Sequence, residues 1–370
     1  METTPPRPDE FEISLFGPGK GECVVIHLGN NDWCVVDSCV ARGKTDSVAV
    51  EYLAGFNNDA LRNVRLVIAS HWHDDHIGGM GSLLSQAPNA VFSCSVALEH
   101  PEFLTLISAA NENVAGSSGV EEFAKILKVL EPRERTTPIF AVENRVLLSV
   151  SDANSSFPIT LRSLSPSDRT LFLALSQIKG FLPQVGQPQR RIIAPYPNHA
   201  SVVIWVVAGP IRALLGADLE HTRRSDQGWT AVLACHSDNP PASFFKVPHH
   251  GSPTSDNADV WTRMLDTNPI AVLTPYSPAR LPRNSDLKRL CRRTASLYCT
   301  AMGSGQPPKR DPSVEKAMKR QLSERRIISG RPGHVRVRWS TNGEKPVAQI
   351  ETFNGAYHVN PAILKSTPPD

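Results

Sequence analysis

The chain has 370 residues, of which 40% are hydrophobic and 20% are charged, and its formal net charge is +3. This composition predicts a soluble globular protein with a sizeable core, in one large domain or two ordinary ones. It argues against a membrane protein, because no stretch approaches the roughly 20 consecutive apolar residues of a bilayer-spanning helix.

The N-terminal part of the chain predicts β-strands. Its first residues, "METTPPRPDE", lack the basic and then apolar order of a secretion signal, so we expect a cytoplasmic protein. The runs "FEISLFG", "ECVVIHLG" and "DWCVVDSCV" are β-branched, and Gly, Pro and Asn turn signals separate them. The apolar run "VRLVIAS" predicts a strand buried on both faces, followed by a helix from about Ile77 through "GGMGSLLSQ". This order of elements is typical of an α/β protein.

The later part of the chain continues this alternation. "VEEFAKILKVL" has the apolar spacing of a helix, and residues 179–198 are rich in Pro and Gln, which indicates a loop. The runs "ASVVIWVVAG", "IRALLGAD" and "SFFKVPHHGS" predict strands, with a helix at "GWTAVLACH". The second of these strands ends at Asp218 and the third at His249, so two potential metal ligands lie at strand ends.

Positive charge is concentrated near the C-terminal end of this region. Residues 280–336 contain 15 Lys and Arg against 4 Asp and Glu, a local charge of +11 that leaves −8 for all other residues. The run "PSVEKAMKRQLSERR" within it predicts a basic helix. Such a helix could be a solvated surface, or it could bind the backbone of a nucleic acid.

The densest group of metal-binding side chains is "HWHDDH", which directly follows the strand "VRLVIAS". In an extended segment His71 and His73 face the same way, so they can bind one ion, while Asp75 and His76 point toward a second. Imidazole and carboxylate ligands suit zinc or manganese, and a pair of such ions generates a hydroxide at neutral pH. Two ions need further ligands, and Asp218 is the best candidate for a bridge. The seven cysteines form no CxxC pair, so they do not indicate a zinc knuckle.

"HWHDDH" matches the HxHxDH signature of the metallo-β-lactamase family. The ordered motifs "GPGKGECVVI", "WCVVDS", "HWHDDHIGG", "NHASVVI", "LLGAD" and "KVPHHGS" resemble, more narrowly, the soluble hydrolase domain of ComEC-type DNA-uptake proteins and their stand-alone relatives. The resemblance implies an α/β fold, the four-layer αβ/βα sandwich of metallo-β-lactamases. It places a hydrolase domain at residues 11–350, which includes a basic helical segment at about 280–336, and terminal extensions at 1–10 and 351–370.

The same resemblance implies a set of metal ligands. His71 and His73 would hold the first ion, Asp75, His76 and His249 the second, and Asp218 would bridge them. His199 would be a third ligand of the first ion or a neighbour of the ligands. Asp37 would orient the loop that carries the ligands. Two Zn²⁺ ions per chain are expected as cofactors, with Mn²⁺ as a possibility.

Two features of the sequence leave the assignment open. In "HHGS" either His249 or His250 could bind metal while its neighbour donates to the substrate, and we favour His249 as the ligand. The relatives usually carry a His-Pro pair where Arg280-Leu281-Pro282 stands here. Contacts with the substrate at the rim of the site could therefore differ.

These residues predict a metal-dependent hydrolase, with Asp75 and His250 as its catalytic residues. Asp75 would orient the attacking hydroxide, and His250 or His199 would protonate or steady the leaving group. We expect a phosphodiesterase or nuclease that acts on DNA or RNA, because the motifs and the basic segment both favour a nucleic-acid partner. Hydrolysis of a small phosphodiester or nucleotide signal is an alternative, and a catalytically silent binding scaffold is another.

Overall fold

A computed structural model describes residues 4–17, 21–57, 59–98, 118–133, 137–151, 157–181, 197–236, 238–301, 332–341 and 346–361. The predicted helix "PSVEKAMKRQLSERR" and most of the predicted loop at 179–198 lie outside these ranges. The described part contains two eight-stranded sheets.

The first sheet has the strand order β15-β14-β1-β2-β3-β4-β5-β6. Its strands are β1 (Glu10–Gly17), β2 (Cys23–His27), β3 (Trp33–Val36), β4 (Val64–Ala69), β5 (Val91–Ser95), β6 (Ile139–Ala141), β14 (Gly333–Ser340) and β15 (Ala348–Phe353). Strands β3 to β6 are parallel to one another, whereas β1, β2, β14 and β15 pair in antiparallel fashion.

The second sheet has the order β16-β13-β12-β11-β10-β9-β8-β7. Its strands are β7 (Arg145–Val150), β8 (Ile159–Ser163), β9 (Ile204–Ala208), β10 (Ile211–Leu215), β11 (Ala242–Lys246), β12 (Leu265–Leu273), β13 (Leu297–Cys299) and β16 (Tyr357–His358). Strands β10 to β13 are parallel. Each sheet therefore has a parallel half, and the carboxyl ends of parallel strands are where α/β proteins build their sites.

Eight helices of the described ranges flank the sheets. They are α1 (Val48–Ala54), α2 (Asp74–Ile77), α3 (Met80–Gln86), α4 (Ser118–Leu130), α5 (Asp168–Phe181), α6 (Gly228–His236), α7 (Ala258–Arg263) and α8 (Asn284–Leu290). The helix predicted from Ile77 is broken at Gly78 and Gly79, because Gly79 has a φ of 76°. This break separates the short α2, which carries Asp75 and His76, from α3.

The side chains of β4 show how the layers form. Val64, Val67 and Ala69 pack toward the helices, whereas Leu66 and Ile68 pack into the apolar layer between the two sheets. A third apolar layer lies between the second sheet and α6, α7 and α8. The order is helix, sheet, sheet, helix, so the predicted four-layer αβ/βα sandwich is confirmed. Among the described helices, none is long and apolar enough to cross a membrane.

Some elements differ in extent from those expected. Helix α5 falls mostly in a stretch for which the sequence pattern gave no element, and its last three residues, 179–181, lie in the stretch predicted as a loop. Strands β15 and β16 pair with β14 and β13, so hydrogen-bonded structure extends beyond residue 350 to Tyr357–His358. Within the basic segment, Arg336 is buried and forms an ion pair with Glu351 at 2.7 Å, so its charge is not free for a ligand.

Candidate metal centre

The ends of strands from both sheets place the candidate site. His71 to His76 follow β4 in the first sheet, Asp218 follows β10 and the His249–Gly251 turn follows β11 in the second. All of these strands are parallel to their neighbours on at least one side, so their carboxyl ends meet at the same edge of the sandwich. The segments that carry the sequence-predicted ligands therefore converge because of the topology, although 178 positions separate His71 from His249.

His71 and His73 converge on one point. The Nε2 atom of His71 lies 3.1 Å from the Nδ1 atom of His73. Two nitrogens that bind one tetrahedral zinc ion at about 2.0–2.1 Å lie about 3.3 Å apart, so this separation suits ligands of a shared ion. The ring of His76 lies beside them, with its centroid 4.2 Å from that of His71.

A second group of donors adjoins the first. His76 Nε2 lies 3.3 Å from Asp218 Oδ2 and 3.7 Å from Asp75 Oδ2. His250 Nε2 lies 3.3 Å from Asp75 Oδ2 and 3.9 Å from Asp218 Oδ2. These four side chains are buried. Two imidazole nitrogens and two carboxylate oxygens at such separations form a donor set that could hold a zinc or manganese ion.

Each buried imidazole is held by its other nitrogen. His71 Nδ1 lies 3.0 Å from Ser70 Oγ, His76 Nδ1 lies 2.8 Å from Asp37 Oδ2, and His250 Nδ1 lies 2.9 Å from Thr274 Oγ1. If each Nδ1 carries the proton of such a hydrogen bond, each Nε2 offers a lone pair to the cluster. Metal-binding histidines are oriented in this way.

The structure brings together His71, His73, Asp75, His76 and Asp218, but it treats the "HHGS" histidines differently from our expectation. His250 is the one that lies against Asp75, as described above. His249 instead has its Nδ1 atom 3.2 Å from Glu220 Oε1. Both residues have left-handed backbone conformations, and the His249 side chain is 20% exposed whereas the His250 side chain is 1% exposed. His199 Nε2 also contacts Glu220, with 3.2 Å to Oε2.

Glu22 and Lys246 are site residues that were not singled out in the sequence. Donor atoms of Glu22, His76, Asp218 and His250 lie within 4.8 Å of one another. However, Glu22 approaches the imidazoles from their Nδ1 side, at 3.6 Å from His76 and 3.9 Å from His250, where each Nδ1 already has a partner. Asp75 faces both Nε2 atoms, so it completes the donor set better than Glu22 does. The sequence did contain a signal for these two residues, because Glu22 lies in the motif "GKGECVVI" and Lys246 lies in the motif "KVPHHGS".

Comparison with known families decides the relationship. Residues 16–260 match the model of the metallo-β-lactamase superfamily. The chain belongs to the metallo-β-lactamase superfamily. No curated protein matches its sequence. The narrower resemblance to ComEC-type hydrolase domains stays a prediction from the motifs.

Solved structures of the metallo-β-lactamase fold are similar to this chain. The metallo-β-lactamase fold protein YhfI from Bacillus subtilis is 13% identical to this chain. The aligned region covers 64% of this chain and 70% of the YhfI chain, with a TM-score of 0.32. A motif mutant of the metallo-β-lactamase from Cronobacter sakazakii has 13% identity, with 65% and 77% coverage and a TM-score of 0.33. The metallo-β-lactamase from Pontibacter korlensis has 13% identity, with 60% and 74% coverage and a TM-score of 0.28.

The residues of this metallo-β-lactamase superfamily site fit a metal ion. Within the described part of the chain, His76 Nε2 and Asp218 Oδ1 are buried side-chain atoms without a hydrogen-bond partner. A buried polar atom without a partner costs about 1–3 kcal/mol, and a metal bound by the Nε2 lone pair would remove that cost at His76. The chemistry of the donor atoms and the distances between them therefore both fit a bound metal ion.

Backbone strain concentrates at the same site. Asp37, Ala217, His249 and His250 have φ values of 61°, 44°, 48° and 53°. This left-handed region costs a residue with a Cβ atom of the order of 1–2 kcal/mol, and such strain is common at functional sites. The surrounding contacts therefore hold these four residues in a backbone conformation that each of them would otherwise disfavour.

The charged groups at the site shift the pKa values of one another. Burial opposes a charge on His76, but Asp218, Asp37 and Asp75 raise the pKa of this imidazole well above its usual value. Burial also opposes the Asp218 carboxylate, yet His76 and His250 lower its pKa well below the usual value. Burial and the neighbouring His76 and His73 lower the pKa of His71. The carboxylates around His76 therefore favour a proton on its ring when no cation is bound.

We expect binding of Zn²⁺ to the metal-free protein near pH 7 to release this proton. His76 is charged below its raised pKa, and a ligand must be neutral, so zinc affinity should rise about tenfold per pH unit until that pKa is passed. Titration calorimetry in buffers of different protonation enthalpy measures the release. Equal heats in all buffers would contradict His76 as a metal ligand.

Proposed function

We propose that this metallo-β-lactamase superfamily hydrolase is a phosphodiesterase or nuclease that acts on DNA or RNA with two metal ions. The observation that carries the proposal is the pair of adjacent donor sets, one built on His71 and His73 and the other on Asp75 and His76. When bound, two divalent ions supply Lewis acidity and lower the pKa of water, chemistry that suits in-line displacement at phosphorus. Zn²⁺ is the proposed metal, with Mn²⁺ as the alternative.

The assignment of ligands follows the geometry. We place His71 and His73 at the first ion, and Asp75, His76 and His250 at the second, with Asp218 as the bridge. His250 thus replaces His249 as the proposed ligand, because His250 Nε2 faces two carboxylates and its side chain is 1% exposed.

The residues around the second ion would then have distinct roles. The Asp75 carboxylate would orient the attacking water. His249, with a side chain that is 20% exposed, would donate to the substrate from the rim while the Glu220 carboxylate holds its ring. His199 shares that carboxylate, so its role as a third ligand of the first ion stays a prediction.

A nucleic-acid substrate is supported by the position of the described part of the basic segment. Tyr276 stacks on His250, with ring centroids 5.0 Å apart and an interplanar angle of 16°. Helix α8 contacts the same turn, because Arg289 Nη2 donates to the carbonyl of Gly251 at 2.6 Å. Two cations of this segment are exposed: Arg280, on the loop after Tyr276, and Lys288, on α8. Exposed cations therefore lie on elements that pack against the candidate site.

A substrate panel tests the proposal directly. The zinc-loaded protein should hydrolyse bis-(p-nitrophenyl) phosphate and cleave single- or double-stranded DNA or RNA, and it should leave a lactam and a lactone unchanged. Elemental analysis should give two ions per chain. Lactam hydrolysis without phosphodiester cleavage would overturn the proposal. Turnover of small phosphodiesters alone would favour the nucleotide-signal alternative, and no turnover at all would favour the scaffold.

Charge reversal at the rim separates long from short substrates. Arg280→Glu with Lys288→Glu should weaken cleavage of long DNA or RNA and reduce its salt dependence, since each lost phosphate contact lowers the slope by about 1. Hydrolysis of bis-(p-nitrophenyl) phosphate should persist. Arg62→Glu with Arg65→Glu is the matched control, because these exposed cations lie at the opposite, amino end of β4. Equal effects of the two double variants would contradict a nucleic-acid surface at this rim.

A further inference from the structure

Lys246 and Glu22 form a buried ion pair behind the donor cluster. Each residue is 1% exposed, and the Lys246 ammonium contacts Glu22 Oε1 directly. Lys246 ends β11 of the second sheet, whereas Glu22 directly precedes β2 of the first, so the pair connects the two sheets beneath the site. A buried charge is tolerated only when it is paired and hydrogen-bonded, so the ion pair calls for a structural reason or a functional one.

The ammonium also holds the turn that carries Asp218. Lys246 Nζ donates to the carbonyl of Ala217 at 2.8 Å and lies 3.8 Å from Asp218 Oδ1. The same carbonyl accepts the backbone N–H of His249 at 3.0 Å. Ala217 is one of the left-handed residues, and these two donors stabilise the conformation that directs Asp218 Oδ2 toward His76.

Glu22 extends the contact to a second imidazole. Its Oε2 atom accepts the hydroxyl of Thr274 at 2.8 Å, and that hydroxyl oxygen lies 2.9 Å from His250 Nδ1. The carboxylate therefore fixes the direction of the Thr274 hydroxyl, which in turn fixes the ring of His250. The Lys246–Glu22 ion pair thus contacts the groups that hold two proposed ligands, Asp218 and His250.

We propose that Lys246, together with Glu22, is a positioning residue for the second metal ion. The proposal rests on the two-metal centre proposed above and assigns the ion pair to the orientation of Asp218 and His250. A purely structural alternative is that Lys246 only neutralises Glu22. The two ideas differ in what happens when both charges are removed together.

The first measurement uses Lys246→Met in the full chain. Chelator competition and calorimetric titration with Zn²⁺ on the metal-free protein give the affinity of each ion. Loss of a residue that orients ligands typically weakens metal binding about 10- to 100-fold, so we expect that loss at the second ion and a smaller one at the first, which shares only Asp218 with it. Thermal unfolding, measured in parallel, should show destabilisation because the Glu22 carboxylate is left buried and unpaired.

The double variant Lys246→Met with Glu22→Gln decides between the two ideas. Glutamine keeps an oxygen that can accept the Thr274 hydroxyl but carries no charge, so stability should largely return. The affinity for the second ion should stay low, because the contacts with Ala217 and Asp218 are still missing. Recovery of both stability and affinity would show that Lys246 only neutralises Glu22, and would overturn the proposal.

A distant ion pair supplies the matched control. Arg338 Nε contacts Glu12 Oε2 at 2.6 Å in the first sheet, and both residues are buried. Arg338→Met should therefore lower stability without a change in zinc affinity. If the unmodified protein binds fewer than two ions, the two-metal centre itself is wrong. If it binds two and Lys246→Met binds both normally, only the positioning role is wrong.

Discussion

Asp75→Ala should lower hydrolysis of bis-(p-nitrophenyl) phosphate by about 10²- to 10³-fold, the effect of losing one well-placed electrostatic group in an active site. The Asp75 Oδ2 atom lies 3.3 Å from His250 Nε2 and 3.7 Å from His76 Nε2, in the middle of the second donor set. Its removal takes away a proposed ligand that is also the proposed orienter of the attacking water. Steady-state kinetics of the zinc-loaded protein measure the effect.

Stability should change little in the same variant. The Asp75 side chain has one contact short enough to be a hydrogen bond among the described residues, to His250. Burial and the like charge of Asp218 oppose the Asp75 carboxylate, whereas His76 and His250 attract it and lower its pKa, so alanine removes attractions and repulsions that partly offset each other in the metal-free protein. Asp74→Ala is the matched control, because this neighbour lies on the same short helix but is exposed. If Asp75→Ala kept most of its turnover, the two-metal mechanism would be wrong for this chain.

The fold could be predicted largely because its signals are local. The apolar run of β4 has the length and composition of a strand buried on both faces, and the HxHxDH motif immediately follows it. Together these features indicate the family and the edge of the sheet at which the site forms. Helix α5 was not predicted, and it ends inside the Pro- and Gln-rich stretch that indicated a loop.

The donor set could be predicted only in part. His71, His73, Asp75 and His76 occupy one short segment, so local geometry brings them together. His249 and His250 have two successive left-handed backbone conformations, and a pattern of residue types does not specify such a pair at a given position. The proposal of His250 rather than His249 therefore comes from the positions of the two side chains in the structure.

The buried supports of the cluster were harder to predict for a different reason. Glu22 and Lys246 are separated by 224 positions in the chain and are charged, so composition alone would place both at the surface. They are buried because each neutralises the other between the two sheets. A pairing of this kind follows from the tertiary fold, and the sequence shows only that both residues lie within family-like motifs.

Asp37→Ala should lower the free energy of unfolding by about 3 kcal/mol or more, since each buried donor left without a partner costs about 1–3 kcal/mol. Asp37 is 2% exposed, and its carboxylate accepts the backbone N–H of Ser70 at 2.7 Å and the Ser70 hydroxyl at 2.8 Å. It also lies 2.8 Å from His76 Nδ1. Urea denaturation of the metal-free protein measures this loss, which should exceed that of Asp75→Ala.

Asp37→Asn distinguishes the loss of charge from the loss of the backbone conformation. Asparagine tolerates the left-handed φ of 61° at this position, and its oxygen can still accept the Ser70 N–H. Its amide group, however, would face His76 Nδ1 or the Ser70 hydroxyl with a donor. We therefore expect a smaller loss of stability than in Asp37→Ala, but a similar weakening of zinc binding, about 10- to 100-fold at the second ion. Wild-type zinc affinity in Asp37→Asn would show that Asp37 supports the fold without orienting His76.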